Sequence, residues 1–415
     1  MCYTLNTILK NKVGFFILSL AVIVLCFIEA VGKSDFFIYL SGAGDLMKGE
    51  NIYKNTYVDG YHYFYSVLFA LLLYPFYHLP FFWVKFFWLL INAVAYFHLF
   101  ALISKSRLFL SLKEKQQKLF LFLLFIFSLR FFLDNIHYSQ ITIFILWCTA
   151  FGLQLILNNK TIAGSALLAL GINIKLLPIV FLPYLIYRGY FKAFTYTVLF
   201  YFSYLFLPAL FIGFNYNLLL IKTWLSLINP ANQNHILDVE ERSFHSLSTL
   251  LSTLLVKDVP DIYALSLKRN IANIDLKSLS FILMLTRLAF ISLTLYFLKL
   301  KIFVKSKTSW GELIEISYIL LLIPLIFPHQ QHYAFLFMMP SIGLILFYLI
   351  TNYNNMLIKT KISVYALLIL IYLSANLKLL LGVFNEYYEH FKILTYGASL
   401  VIPLLIWVKR KTDLT

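Results

Sequence analysis

Residues 13–35 read VGFFILSLAVIVLCFIEAVGKSD, and this stretch decides the fold. The run 13–31 is apolar and close to the length a helix needs to cross a bilayer, about 20 residues. It lacks the period-2 alternation of a barrel strand, so it reads as a membrane helix. The chain then turns polar at Gly32-Lys33-Ser34-Asp35. A carboxylate at the rim of a membrane helix is costly to desolvate, so Asp35 is either an interfacial charge or part of a site. No small-residue cleavage site follows the run, which is therefore expected to stay as a helix.

The rest of the chain repeats this pattern. Of 415 residues, 61% are hydrophobic and only 13% charged, with mean hydropathy +0.83. A soluble domain carries about a quarter charged residues, so the composition defines an all-α polytopic membrane protein. The net charge of +16 sits mostly in short loops between apolar runs. That is the topology signal of membrane proteins and gives no reason to expect nucleic acid. Cys2, Cys26 and Cys148 suggest neither a disulfide framework nor a metal site.

Basic residues orient the helices. Lys10 and Lys12 place the N-terminus on the cytoplasmic side and the loop 33–62 outside. The loop from Lys105 to Lys118 is cytoplasmic, so only one of the two pieces 63–79 and 81–103 spans. We read 63–79 as interfacial or re-entrant. Residues 161–187, interrupted by Asn173, Lys175 and Pro178, read as two short helices; such breaks at membrane depth line protein-enclosed cavities. A polar excursion covers 214–278. Spanning helices follow at 279–298, 311–327, 333–350, 362–376 and 393–408, with Lys299, Lys301, Lys305 and Lys307 and Lys409-Arg410-Lys411 inside. Of the 18 acids, only Glu114, Glu312, Glu315 and Asp413 fall on that side. Residues 1–415 thus read as one integral-membrane domain of about 10–13 transmembrane helices at about 20 residues per crossing.

Polar constellations gather on the outer side: Asp35, His137 to Gln140, residues 229–246, and His329 to His332. Ser34 is a candidate cap for a helix opening at Asp35, with Phe36, Leu40, Ala43 and Met47 on one face and Gly49 as the stop. That makes an amphipathic helix on the membrane surface. Asp35 either favours that helix N-terminus or serves as a general base beside a lipid-borne substrate. His329 and His332 lack a third ligand at metal spacing, so no metal is expected; hydrogen bonding to a phosphate is the sharper alternative to an interfacial pair. Arg242 either clamps an anionic head group or pairs with Glu240 or Glu241. Lys175 either snorkels or answers an anion. Tyr63 is a candidate for stacking on a sugar. No nucleophile elbow, phosphate loop or dinucleotide fingerprint occurs in a meaningful context.

Four stretches, in order, resemble glycosyltransferase family 87, whose members are multi-spanning transferases of the GT-C type. They are Asp35-Phe36-Phe37-Ile38-Tyr39 with Gly49, Tyr53, Tyr63 and Pro75; Ser139-Gln140-Ile141-Thr142; Ile174-Lys175-Leu176-Leu177-Pro178 through Arg188; and Pro328, His332-Tyr333 and Met339-Pro340. Ser139 and Thr142 stand where that family usually has Gly and Asn. Gln331 stands where it has the first of two histidines. The resemblance implies a GT-C-like bundle and an inverting hexosyl transfer, mannosyl in type, from a polyprenyl-phosphate sugar. The acceptor is then a lipid or glycan outside the cytoplasmic membrane, and no cofactor is required. It implies Asp35 as the base; His332, His329, Lys175, Arg242, Gln140, Tyr39 and Tyr63 are the candidates for binding substrate or phosphate. The competing expectation is a transporter or lipid flippase, whose marks are internal repeats and facing mid-membrane charges.

Overall fold

The computed structural model describes residues 12–229, 236–239, 241–257, 259, 261, 264–299, 302–306 and 308–413. The expectations placed on Lys10, residues 230–235, Glu240, Lys301 and Lys307 lie outside these residues. The described elements are α1 (Lys12–Glu29), α2 (Asp35–Met47), α3 (Val67–Leu73), α4 (Phe81–Ser104), α5 (Glu114–His137), α6 (Thr142–Leu157), α7 (Thr161–Ile174), α8 (Phe181–Tyr187), α9 (Phe191–Phe206) and α10 (Phe214–Leu227). Then come α11 (Leu247–Leu255), α12 (Leu276–Leu298), α13 (Ser309–Ile326), α14 (Met339–Asn352), α15 (Ile358–Asn376), α16 (Asn385–His390) and α17 (Ile393–Asp413), with short helical turns between some of them. Among the described residues, eight helical stretches are long and apolar enough to cross a membrane, and five shorter apolar helices accompany them. The protein is an all-α polytopic membrane protein.

The chain forms two compact units. The first comprises residues 1–110, 133–186 and 190–229; the second comprises 111–132, 187–189 and 230–415. In the first unit, α6 and α7 form a tight antiparallel hairpin. Its tightness comes from two glycines. A Cβ on Gly152 would lie 2.9 Å from the Gly164 carbonyl oxygen, and one on Gly164 would lie 2.5 Å from that of Gly152. Small residues let helix backbones meet where apolar burial gives no driving force. The segment after α7 leaves the helix where expected. Lys175 is extended (φ −147°, ψ 124°), and Pro178 opens a short 3-10 turn before α8. Helix α3, with seven residues, is too short to span, which agrees with reading 63–79 as interfacial or re-entrant.

Helix α2 departs from expectation in two ways. Ser34 does not cap it; its hydroxyl donates instead to Ser139 Oγ at 2.9 Å. Nor does the helix lie as an amphipathic surface element. Phe36, Ile38, Tyr39, Leu40, Gly42, Ala43, Gly44 and Leu46 are all buried, so protein covers most of its circumference. The stop is as read. Gly49 takes φ +81°, with Gly49 N–H bonded to Leu46 O and Glu50 N–H to Asp45 O, the paired bonds of a Schellman ending. The excursion 214–278 is not all loop, since it contains α10 and α11.

The second unit is built on α12–α15 and α17 and buries two arginines. Arg188 grips Glu315 with two nitrogens, its Nε donating to Oε2 at 2.8 Å, and also donates to the Leu298 carbonyl at 2.8 Å. Arg130 donates to the Ala375 carbonyl at 2.7 Å and to Tyr388 Oη at 2.6 Å. Hydrogen bonds of this kind offset part of the cost of burying a cation. Two charges inside helices, one in each unit, are also locally answered. Lys85 donates to the Gly32 carbonyl at 3.1 Å, and Arg287 to Ser248 Oγ at 2.7 Å.

The hairpin contact is testable. Gly164→Val overpacks it and is expected to cost about 1–3 kcal/mol. A lowered unfolding midpoint in a detergent thermal-shift assay checks this, with Gly60→Ala, which has open space around it but positive φ, as the loop comparison.

Candidate active site

Asp35 is the first residue of α2 and is half-buried in the first unit. The amide of the buried Gln140 donates from Nε2 to Asp35 Oδ2. Gln140 follows a strained residue: Ser139 holds φ +55° in the left-handed region, where glycine is the residue of low cost. That conformation gives a physical reason for the glycine usual at this position in the family the sequence resembles. Ser139 is fixed from two sides, by Ser34 and by Trp88, whose indole Nε1 donates to the Ser139 carbonyl at 3.0 Å.

An aromatic wall backs the pair. Tyr39 Oη contacts Gln140 Oε1 at 3.4 Å and Tyr65 Oη at 2.9 Å, and Phe36 stacks on Trp88 at 5.3 Å. Lys175 Nζ lies 5.8 Å from the Tyr65 ring centre, within cation–π range. Burial pushes the Asp35 carboxyl above its ordinary value. The Gln140 hydrogen bond and the Lys175 ammonium pull it part of the way back. Of the two readings of Lys175, the one in which it answers an anion agrees with this arrangement. The result is a carboxylate more basic than an exposed one, held by one amide.

Tyr63 is fully buried one layer behind. Its hydroxyl donates to the Ser66 carbonyl at 3.0 Å and its ring fills the space over Gly42. In this arrangement it supports the wall.

The first unit thus gathers Asp35, Gln140, Tyr39 and Lys175. The other candidates belong to the second unit and take separate partners. His329, with φ +56°, bonds the buried carboxylate of Asp238 through its backbone N–H at 2.8 Å and its Nδ1 at 2.9 Å. Asp238 also accepts from Ser246 and Thr249 at the start of α11. His332 is fully buried and its Nε2 accepts from Lys378 Nζ at 3.2 Å. Arg242 pairs with Glu386 at 3.5 Å, a loose surface contact.

Sequence reading missed the group around His332. Glu389 accepts from the buried His245 at 2.6 Å and lies 3.3 Å from Lys378. Burial pushes the His245 imidazole down to about 4, so it stays neutral near pH 7. Burial also opposes ionisation of Glu389, but its bond with His245 and the Lys378 ammonium outweigh that and hold it well below the usual carboxylate range. The signal was present: Glu386, Glu389, His390 and Lys392 sit between two apolar helices, in the same predicted outer layer as Pro328 to His332. Among the described residues no group of three or more His, Cys, Asp or Glu is arranged to hold a metal ion.

A polytopic helical membrane protein that holds a half-buried, amide-gripped carboxylate at a helix start fits membrane-bound transfer chemistry. Residues 63–301, more than half of the chain, match the model of glycosyltransferase family 87. The chain belongs to that family and is a membrane glycosyltransferase. The matched range includes Gln140, Lys175 and Arg242; Asp35, His329 and His332 lie outside it. No curated protein and no solved structure matches the chain.

The charge coupling gives a pH test. Gln140 and Lys175 both lower the Asp35 pKa, so removing either raises it further. If ionised Asp35 is needed, transfer falls as pH drops through its pKa. Gln140→Leu and Lys175→Met are each expected to move that acid limb to higher pH, read from a pH–rate profile of sugar transfer.

Proposed function

We propose that this protein moves a hexosyl residue, mannosyl in type, from a polyprenyl-phosphate sugar to a lipid or glycan acceptor. The site would face the outer side of the cytoplasmic membrane, and the transfer would invert the anomeric centre. Asp35 is the general base. The observation that carries this reading is the Asp35–Gln140 pair in its aromatic wall, with the positive charge of Lys175 acting on the carboxylate.

The step balances simply. The acceptor hydroxyl oxygen attacks the anomeric carbon as its proton passes to Asp35. The bond from that carbon to the phosphate oxygen breaks, and the polyprenyl phosphate leaves with the electron pair. A phosphate leaves already charged, so a strong general acid is not needed; positive charge stabilises it instead. Lys175 is the first candidate for that role because its charge already acts on the base. The raised pKa of Asp35 suits the task, because a base works best when its pKa approaches the working pH.

Asp35→Asn tests the assignment. The neutral isostere escapes the desolvation that burdens the carboxylate, so expression and thermal stability are expected to hold. Transfer from a panel of polyprenyl-phosphate hexoses in nanodiscs is expected to fall by about 10²–10⁴-fold, the range for loss of general base catalysis. Undiminished transfer by a well-folded Asp35→Asn protein overturns the role.

A further inference from the structure

A cleft of about 660 Å³ opens at the far end of α2 from Asp35, within the first unit. Its size lies in the range of small-molecule sites, about 300–1,000 Å³. One wall is a single helix face: Ser41, Asp45 and Lys48 recur at i, i+4 and i+7. Glu50, Lys54 and Asn55 from the following loop and the ring of Tyr77 make the rest, together with Thr56 and Tyr57.

The chemistry of this lining excludes most ligand classes. Two carboxylates face two ammonium groups, so the cleft selects neither anion nor cation by net charge. The carboxylates are also already gripped by donors. Lys48 Nζ lies 3.1 Å from Asp45 Oδ1, and Asn55 Nδ2 donates to Asp45 Oδ2 at 3.1 Å and to Glu50 Oε2 at 2.8 Å. A metal ion would have to displace an ammonium and an amide N–H to reach them. No aliphatic side chain lines the cleft, so a lipid tail finds no partner. A neutral polyhydroxylated ring fits: its hydroxyls donate to the remaining lone pairs of Asp45 and Glu50 and accept from Lys48 and Lys54, and its C–H face lies on Tyr77.

The walls are built rather than incidental. Tyr77 lies so close to Gly44 that a Cβ there would collide with its ring. The Schellman ending of α2 fixes Glu50, whose carbonyl also accepts from Tyr216 Oη. We infer that the cleft is a saccharide subsite, holding a sugar of the acceptor other than the one that reacts. The acceptor assignment rests on Asp35 being the base. Asp45 is about 15 Å along the helix and about a quarter turn around it from Asp35, at 1.5 Å and 3.6 residues per turn. An acceptor reaching both is longer than one sugar ring, so the preferred acceptor is an oligosaccharide or an oligosaccharide-bearing lipid.

The test is direct binding to the full chain in nanodiscs. Neutral gluco-, manno- and galacto-oligosaccharides, from mono- to tetrasaccharides, are titrated with saturation-transfer NMR as the readout. At least one di- to tetrasaccharide is expected to bind, and better than its monosaccharide. Asp45→Asn and the exposed Glu50→Gln are each expected to weaken it roughly tenfold, the scale of one charge-assisted hydrogen bond. Asp35→Asn is expected to leave binding intact while abolishing transfer. Binding by no member of the panel, or binding indifferent to both Asp45→Asn and Glu50→Gln, overturns the subsite. If the subsite variants lose binding but Asp35→Asn still transfers, the base assignment fails and the subsite stands as a saccharide site alone.

Discussion

A carboxylate drawn out of water stays useful only if something replaces the water's hydrogen bonds without pairing it too strongly. Asp35 meets that constraint with one amide and one ammonium that acts on it electrostatically. A salt bridge in contact would hold the carboxylate ionised but make it a poor base. Burial with no donor would leave it protonated. The Gln140 contact, at 105 residues' separation, sits between these limits and fixes much else in the first unit. It requires the left-handed Ser139, the Trp88 and Ser34 bonds that hold Ser139, and the tyrosine pair that orients the amide from behind.

The second unit solves a related problem differently. There the buried charges are paired in contact: Arg188 with Glu315, Glu389 with His245 and Lys378, and Asp238 with His329 and two hydroxyls. Breaking a buried pair on one side leaves an uncompensated charge, so these sets bind distant segments together at high penalty for loss. They tie together segments that are far apart in sequence, including 236–246, 329–332 and 378–392. A chain with few polar residues spends them where several loops must converge.

The fold was legible because its signals are local. Apolar length gave the spanning helices, the Pro178 break gave the short pair α7–α8, and Gly49 gave the end of α2. Asp35, Gln140 and Lys175 were also legible as candidates, though the residues alone did not join them; their place in the order of a family pattern did. What escaped reading is contact made at a distance. Ser34 has the right type for a cap, but Ser139 competes for its hydroxyl. Helix α2 has an amphipathic sequence, yet its polar-side glycines admit Tyr63 and Tyr77, which covers the surface that the pattern alone would give to solvent. The contact of Arg242 with Glu386 joins residues far apart in sequence and carries no local signal. Lys378 and Glu389 carry no motif, and only their predicted side of the membrane placed them near His332.

The α6–α7 hairpin has one more consequence. Gln140 stands just before α6 and Lys175 just after α7, so both emerge from the same end of this antiparallel pair. Each sets the proton affinity of Asp35 from its own strut of the hairpin. The spacing of the struts is held by the contact of Gly152 with Gly164 near the other end. The two groups that lower the proton affinity of this carboxyl are thus carried by one hairpin, so the packing of that hairpin and the electrostatics at Asp35 are set together.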